Sequence, residues 1–296
     1  MMCCQPGRQG WYYISTIGKD VMSQAGLYLV ATPIGNLEDI SYRAVRLLSE
    51  VDLIAAEDTR HSHVLLSHYN ITTAVQAFHE HNETQMEGLI LDRVSNGGAV
   101  AIISDAGTPL ISDPGYRLVL AARKAGLPVH SVPGPSAVTA ALSVAGLPPD
   151  RFVFEGFLPS KAVARRKKLE ELCRETRTLV FFESSHRIEA TISDMAEIFG
   201  PERLVSVCRE LTKKFETVLR ASLVDVANKL KEDKNQTRGE FVVVINGYES
   251  SGDEALSAAY KMAVLLLEYL PASQAARVAA RLNDVSRREV YHLLEN

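Results

Sequence analysis

The chain has 296 residues, a formal net charge of −4, and 46% hydrophobic against 23% charged residues. That length divides into about two ordinary domains and the composition is that of a globular protein, while the charge excludes recognition of nucleic acid by a global field, so any RNA contact has to rest on local patches. The four cysteines (Cys3, Cys4, Cys173, Cys208) have neither paired metal spacing nor disulfide-framework density, which favours a reducing cytoplasm, and no apolar run approaches the roughly 18–20 residues of a membrane span.

Residues 1–26 lack sustained periodicity and the long apolar core of a secretory signal, and read as an N-terminal extension expected to be disordered. Leu27–Ala31 is an apolar strand, followed by the loop Thr32-Pro33-Ile34-Gly35-Asn36; Asp39 or Ser41 can cap the helix that carries Ala44, Val45, Leu47 and Leu48. Val51–Ala56 is a second strand, ending in Glu57-Asp58-Thr59-Arg60. A carboxylate at such a strand end can hold a ribose hydroxyl or pair with Arg60, and spacing leaves the two open. Thr73–Phe78 is a third strand, running into His79-Glu80-His81-Asn82-Glu83. That spacing fits no common metal pattern. It reads as a polar site wall or proton acceptor, or as a helix N-terminus in which Asn82 caps and Glu83 favours the dipole.

Residues 99–146 are the organising stretch. Ala99–Ser104 is a run rich in branched residues, as a strand buried on both faces of a parallel sheet reads. The loop Asp105–Ser112 carries Gly107 and Pro109; Asp113 occupies the expected N-cap, with Pro114 in the first helical position and Leu118, Val119 and Ala122 on one face. Gly126 ends that helix, Val129–Val132 is the next strand, and Pro133-Gly134-Pro135-Ser136 opens a helix that closes at Gly146. Strand, loop and helix thus repeat five times between Leu27 and Gly146, which implies a parallel sheet with helices on both faces. Ligands bind at the carboxyl edge of such sheets. Neither of the two loops in this stretch matches a P-loop or offers a Lys or Arg, and Asp105 and Asp113 would repel a phosphate, so a neutral or cationic ligand suits them. The alternative is that Asp113 only caps and the Pro-Gly loops only connect.

Pro148-Pro149-Asp150 reads as a hinge. Beyond it, Phe152–Phe157, Thr178–Phe182, Leu204–Cys208, Phe215–Leu219 and Glu240–Ile245 are expected strands, with helices at Lys161–Arg174 and Ser185–Phe199. No helix separates Leu204–Cys208 from Phe215–Leu219, so this second sheet is expected to be mixed. Asn246–Glu254 is a polar linker, and Ala255–Asn296 is helical: Leu256–Leu270, a break at Pro271, then Ser273–Leu282 and Ser286–Leu294. The last two resemble a helix-turn-helix with Arg287 and Arg288 at the start of the second, or else form a small helical cap.

The motifs LVATPIGN, AAEDTR, FHEHNE, SDAGTPLISDPG, VPGPSA, FEGFLP and FFESSHR, in this order and spacing, strongly resemble the ribosomal RNA small-subunit methyltransferase I family of the tetrapyrrole-methylase superfamily. The resemblance runs from about Leu27 to the C-terminus and starts just after Met22, which makes Met22 a candidate start. It implies two α/β domains of the tetrapyrrole-methylase type, at 27–148 and 149–248, with a C-terminal helical segment at 255–296. It further implies S-adenosylmethionine-dependent 2′-O-methylation of a cytidine ribose in the decoding region of small-subunit rRNA, by a cytoplasmic homodimer with no metal and no membrane association.

By that resemblance the cofactor lies folded in the cleft between the domains. Pro33-Ile34-Gly35-Asn36, Ser104-Asp105-Ala106-Gly107-Thr108-Pro109 and Pro133-Gly134-Pro135-Ser136-Ala137 touch it, mostly through backbone groups, with Asp113, Glu183 and Leu211 facing the same ligand. A ribose hydroxyl is a poor acid, so a proton acceptor is expected. The polar clusters at strand ends nominate His81, Glu57 and Asp58, in that order, with Arg60 or Arg187 orienting a phosphate or the ribose. Lys161, Arg165, Arg166, Lys167 and Lys168 offer a track for the rRNA backbone, or simply a solvated helix face. Two rival readings are a methylase of a porphyrin-type ring carbon and a non-catalytic RNA-binding factor with a vestigial pocket.

Overall fold

Five short runs in the first half of the chain pair side by side, and the three inner ones are apolar because they bury side chains on both faces. The computed structural model describes residues 24–79, 81–249 and 252–295. The expected extension, up to residue 23 and including Met22, lies outside them, as does Glu80. Cα packing separates two compact units: the first runs through Val144 and takes in Cys208–Val218 and Gly239–Val242, and the second comprises Ala145–Val207, Leu219–Arg238 and the chain from Val243 onward.

The first unit alternates β1 (Gly26–Val30), α1 (Tyr42–Glu50), β2 (Leu53–Ala56), α2 (Thr59–His68), β3 (Val75–Ala77), α3 (Glu83–Ser95), β4 (Ala99–Ile103), α4 (Tyr116–Lys124), β5 (Val129–Val132) and α5 (Ala137–Val144). The sheet order is β3-β2-β4-β1-β5, and every neighbouring pair is parallel. Alternate side chains feed two cores. Val30, Ile54, Ala101 and Ile103 meet Leu47 and Leu48 of α1 and Leu66 of α2. Leu27, Val100 and Ile102 meet Met86 and Ile90 of α3 and Leu118 of α4. All five β4 residues are buried, and each fully buried Ile there contributes about 1.5–3 kcal/mol. After β1 the chain turns toward β2, and after β4 it turns the opposite way to β5, so the adjacent ends of β1 and β4 form a topological switch point.

Ser41, not Asp39, caps α1: its hydroxyl accepts the Ala44 N–H at 3.1 Å. Asp113 does not cap α4. Leu110 (φ +74°) and Ser112 (φ +70°) turn left-handed, so the loop runs two residues longer and the helix starts behind Gly115 at φ +116°. A Cβ at Gly115 would stand 3.3 Å from Leu110 and 3.5 Å from Phe78, which are packed under the turn.

The second sheet comprises β6 (Phe152–Phe157), β7 (Thr178–Ser184), β8 (Leu204–Arg209), β9 (Thr217–Ser222) and β10 (Glu240–Ile245), ordered β6-β7-β10-β8-β9. It is mixed, as the missing helix between β8 and β9 implied. β6 and β7 are parallel, whereas Glu210 N–H donates to Glu240 O and Asn246 N–H to Leu204 O, an antiparallel register between β8 and β10. β9 begins two residues later than expected and runs on to Ser222, whose hydroxyl accepts the Asp225 N–H and starts α8 (Leu223–Glu232), a helix the sequence reading left out. The remaining helices are α6 (Ala162–Leu172), α7 (Ile188–Phe199), α9 (Gly252–Leu266), α10 (Ala272–Leu282) and α11 (Arg287–Glu295). The last three pack around Ala259, Ala263, Ala276, Ala279 and Val290. Among the described residues no helix is long and apolar enough to cross a membrane.

Candidate active site

Three loops leave the carboxyl ends of β1, β4 and β5, and backbone groups bolt them together. Thr32 N–H donates to Gly107 O at 2.8 Å and Gly107 N–H returns to Thr32 O at 3.0 Å. Gly107 reaches this bridge at φ +81°, where a side chain is strained. The buried Thr32 hydroxyl donates to Ser104 O at 3.2 Å, and the Thr108 hydroxyl reaches Pro135 O at 3.1 Å. Gly134 approaches β1 so closely that a Cβ would stand 3.0 Å from Ala31 Cβ. The three segments expected to hold a cofactor therefore meet in one unit, and they share it with Leu211, buried in the loop after β8.

Beside two of these segments, 33–36 and 133–137, lies an open cavity of about 380 Å³, lined by Ile34, Gly134, Pro135, Ser136, Asp39 and Thr212 and by the Thr139-Ala140 and Ser143 side of α5; the segment 104–109 contributes none of the lining residues. None of these lining residues is a Lys or Arg. Thr139, Ala140, Ser143 and Thr212 were missed in the sequence. For the helix, the signal was there: small residues at 136, 139, 140 and 143 follow the i, i+3, i+4, i+7 spacing of one face. Thr212 comes from a distant loop and gave none.

The acidic groups are arranged by the same loops. Asp105 Oδ1 accepts the Asp58 N–H at 3.0 Å, tying the end of β2 to the end of β4. Asp58 caps α2, accepting the Arg60 N–H at 2.8 Å, and pairs with the Arg60 guanidinium at 3.0 Å. Hydrogen bonds from Arg60 hold its carboxyl down at about 2. So acidic a group is a feeble proton acceptor, and the ion-pair alternative describes it. Glu57, one residue earlier, is half-buried. Burial pushes the half-buried Asp113 carboxyl above its ordinary value, opposed by a hydrogen bond from Ser104 and assisted by the charge of Asp105.

His81 is exposed, with its ring 5.9 Å edge-on from that of His79. Asn82 stands at the cap position of α3 but makes no capping bond. Its side chain folds back, accepting the His79 N–H at 2.9 Å and donating to Ala77 O at 2.8 Å. Among the described residues no cluster of three His, Cys, Asp or Glu could hold a metal ion.

Glu183 belongs to the second unit, where its buried carboxylate accepts from the Thr191 hydroxyl at 2.7 Å and from Arg187 Nη2 at 3.3 Å. Arg187 Nε stands 3.2 Å from the other oxygen without the alignment of a hydrogen bond. Arg187 also donates to Leu158 O at 2.6 Å. The basic run on α6 is not one exposed face. Arg165 is 5% exposed and shares the inner stripe with Leu169 and Leu172, its Nε donating to Asp194 at 2.7 Å. Its assignment to an RNA track is corrected: a helix places positions 165 and 169 on the same side. Arg166 pairs with Asp194 and Glu197, and Lys168 with Glu155 at 2.8 Å. Lys161 and Lys167 are exposed, as are Arg287 and Arg288 at the start of α11.

The family model for tetrapyrrole (corrin/porphyrin) methylases matches residues 26–227. The ribosomal RNA small subunit methyltransferase I of Xylella fastidiosa is 49% identical over 271 residues, 91% of this chain and 99% of that protein. Among solved structures, a cobalt precorrin-4 methyltransferase superposes with TM-score 0.57 at 20% identity, over 74% of this chain and 94% of the other. A uroporphyrin-III C-methyltransferase from Thermus thermophilus, complexed with S-adenosyl homocysteine, does so with TM-score 0.53 at 20% identity, over 75% and 97%. The chain belongs to the ribosomal RNA small subunit methyltransferase I family, within the tetrapyrrole methylases.

Proposed function

We propose that this protein transfers the methyl group of S-adenosylmethionine to the ribose 2′-oxygen of a cytidine in the decoding region of small-subunit rRNA. The observation that carries the reading is the bolted loop cluster at the carboxyl edge of the first sheet, beside a cavity whose lining residues offer hydroxyl and carboxylate groups and no Lys or Arg. Such a lining fits a cationic sulfonium nucleoside and disfavours a phosphate-bearing nucleotide. The near full-length likeness to a protein named for small-subunit rRNA supports the substrate class.

When bound, S-adenosylmethionine supplies an electrophilic methyl group on a sulfonium, and no metal is required. The residues of the chain orient and desolvate. Backbone groups of 33–36, 104–109 and 133–137, with Leu211, hold the cofactor. Asp105 and Asp113 place negative charge on the loop between β4 and α4 and so favour a cation. His81 is the proton acceptor for the ribose hydroxyl, with Glu57 in reserve, and Arg60 or Arg187 orients a phosphate. The exposed Lys161 and Lys167, Arg166, Lys168, Arg287 and Arg288 contact the rRNA backbone. The enzyme works as a cytoplasmic homodimer, a part of the proposal that family resemblance alone supports.

The test is transfer of radiolabelled methyl from S-adenosylmethionine to isolated small subunits, with porphyrinogens as the competing substrate. A 2′-O-methyl group blocks alkaline cleavage, so the label should appear in an alkali-resistant dinucleotide containing cytidine. Label on a base, or only on the tetrapyrrole, would contradict the proposal.

A further inference from the structure

The pairing of β6 with β7 carries a fault. Phe154 lies beside Val180, but Gly156 lies beside Phe181 and Phe157 beside Phe182, so one extra residue of β6 is bulged out at Glu155-Gly156. Gly156 takes φ +65° to make the bulge. Bulges between parallel strands are rare, and they re-aim a side chain. In an unbroken strand, residues three apart point to opposite faces. Here Phe154 and Phe157 share one face and flank Phe182, edge-on, with ring centroids at 4.9 Å and 5.6 Å. Phe157 is thereby anchored and yet 56% exposed, and among the described residues no ring stacks on it.

The residues that follow Phe157 hold a cation next to it. Arg187 Nη2 donates to Leu158 O at 2.6 Å and to Pro159 O at 3.4 Å. The same nitrogen reaches the Glu183 carboxylate at 3.3 Å. Glu183, 2% exposed, is itself fixed by the Thr191 hydroxyl at 2.7 Å and the Ser184 N–H at 2.8 Å. Arg187 Nη1 bonds to no described residue and stays accessible. Lys161, three residues beyond Leu158, is exposed and makes no ion pair with a described residue. All of these groups belong to the second unit, around the carboxyl ends of β6 and β7. An open ring beside two cations suits an unpaired nucleotide, which brings a π-face and a phosphate together. An apolar protein face closing over the same ring would bury Nη1 without a partner.

We infer that Phe157 and Arg187 form a nucleotide subsite for the rRNA: an unpaired base stacks on the Phe157 ring, Arg187 Nη1 donates to a phosphate of the same strand, and Glu183 is the positioning residue that fixes the guanidinium. The inference rests on the rRNA reading above and adds that the strand is unpaired where it crosses the end of β6. Binding of the full chain to isolated small subunits, and to a single-stranded oligoribonucleotide with and without its complement, tests it. Phe157→Ala should weaken the single strand about 5–150-fold, the worth of one base–aromatic stack, and leave the salt slope and the duplex affinity unchanged. Phe157→Tyr keeps the π-face and should bind like the unmodified chain, whereas Phe157→Leu keeps only apolar bulk and should fall with Ala. Arg187→Gln should flatten the slope of log affinity against log salt by about 0.7, one single-strand phosphate. Glu183→Gln should weaken the single strand about 3–10-fold, and should add no loss in the Arg187→Gln background, where a merely structural role would still add its own.

The Phe157 variants change an exposed side chain and carry the test alone if Arg187→Gln or Glu183→Gln fails to fold. Three results would each overturn the inference. One is unmodified affinity in Phe157→Leu. Another is an equal loss for single strand and duplex in Phe157→Ala. The third is unmodified RNA affinity in Phe157→Ala with an altered sedimentation coefficient, which would give the ring to a contact between copies of the chain. If the unmodified chain bound neither the small subunits nor the oligoribonucleotide, the rRNA reading beneath it would fall instead.

Discussion

Gly134→Ala probes the joint on which the loop cluster depends. The added methyl would stand 3.0 Å from Ala31 Cβ and 3.3 Å from Ala31 O. Both atoms are fixed to the end of β1, which is buried and paired on both sides, so no rotamer change relieves the contact. Restoring an ordinary carbon–carbon separation of about 3.5–4.0 Å requires the loop 133–136 to retreat by about 0.5–1 Å. Overpacking of this kind costs about 1–3 kcal/mol, a fall in Tm of about 2–12 °C at the usual sensitivity for a chain of this size. The retreat would also stretch the bond from Thr108 to Pro135, now 3.1 Å, and shift Pro135 and Ser136 in the cavity wall. Calorimetry should therefore give a Kd for S-adenosylhomocysteine about 10-fold weaker, or about 1.4 kcal/mol. Gly88→Ala is the matched control: it lies within α3 with nothing within 4 Å of the added carbon. It should gain about 0.5–1 kcal/mol of stability and leave affinity unchanged. Unmodified affinity and Tm in Gly134→Ala would refute the claim that this glycine sets the spacing of the cavity.

The basic helix and the acidic loops give further expectations. Arg165→Ala removes a partner of the buried Asp194 and should lower the unfolding free energy by up to about 3–5 kcal/mol, the cost of a broken buried pair, less what Arg166 retains, with a matching fall in Tm; Lys167→Ala should leave Tm alone and flatten the salt dependence of rRNA binding by about one phosphate. Asp113 sits above its ordinary carboxyl value, so its charged form opposes folding at neutral pH and the penalty vanishes once both states are protonated in acid. Asp113→Asn should accordingly raise Tm at pH 7 and lose that advantage below about pH 4, while weakening donor binding if the carboxylate favours the sulfonium. Asp58 is held at about 2 against an ordinary 3.8, so its contribution to stability is present above pH 4 and lost as pH falls toward 2, and Asp58→Asn should blunt acid unfolding in that window. His81→Ala should lower kcat about 10²–10⁴-fold with donor Kd unchanged; full activity would remove His81 as proton acceptor.

How much was visible beforehand depended on the range of the interactions. β4 could be read because a strand buried on both faces spells an unbroken apolar run, and AVAII is buried throughout. The Pro-Gly loops could be located for a similar reason, since close backbone approach leaves a local composition. Asp113 misled because Asp-Pro is a sound capping signal, and nothing local shows that Leu110 and Ser112 turn left-handed over Phe78. Arg165 misled because its partner lies 29 residues away in α7, and charge alone does not tell an inner stripe from an outer one. Thr212 was invisible because its role comes from a loop joining the cavity across some 70 residues of sequence from α5.

In the function proposed, the bolted loops of the first unit hold the methyl donor. A crystal structure of the full chain with S-adenosylhomocysteine tests it most directly. The ligand is expected against Ile34, Pro135, Ser136 and Thr212, with the Thr32–Gly107 bridge intact beside it. A ligand bound elsewhere with that cavity empty would contradict it.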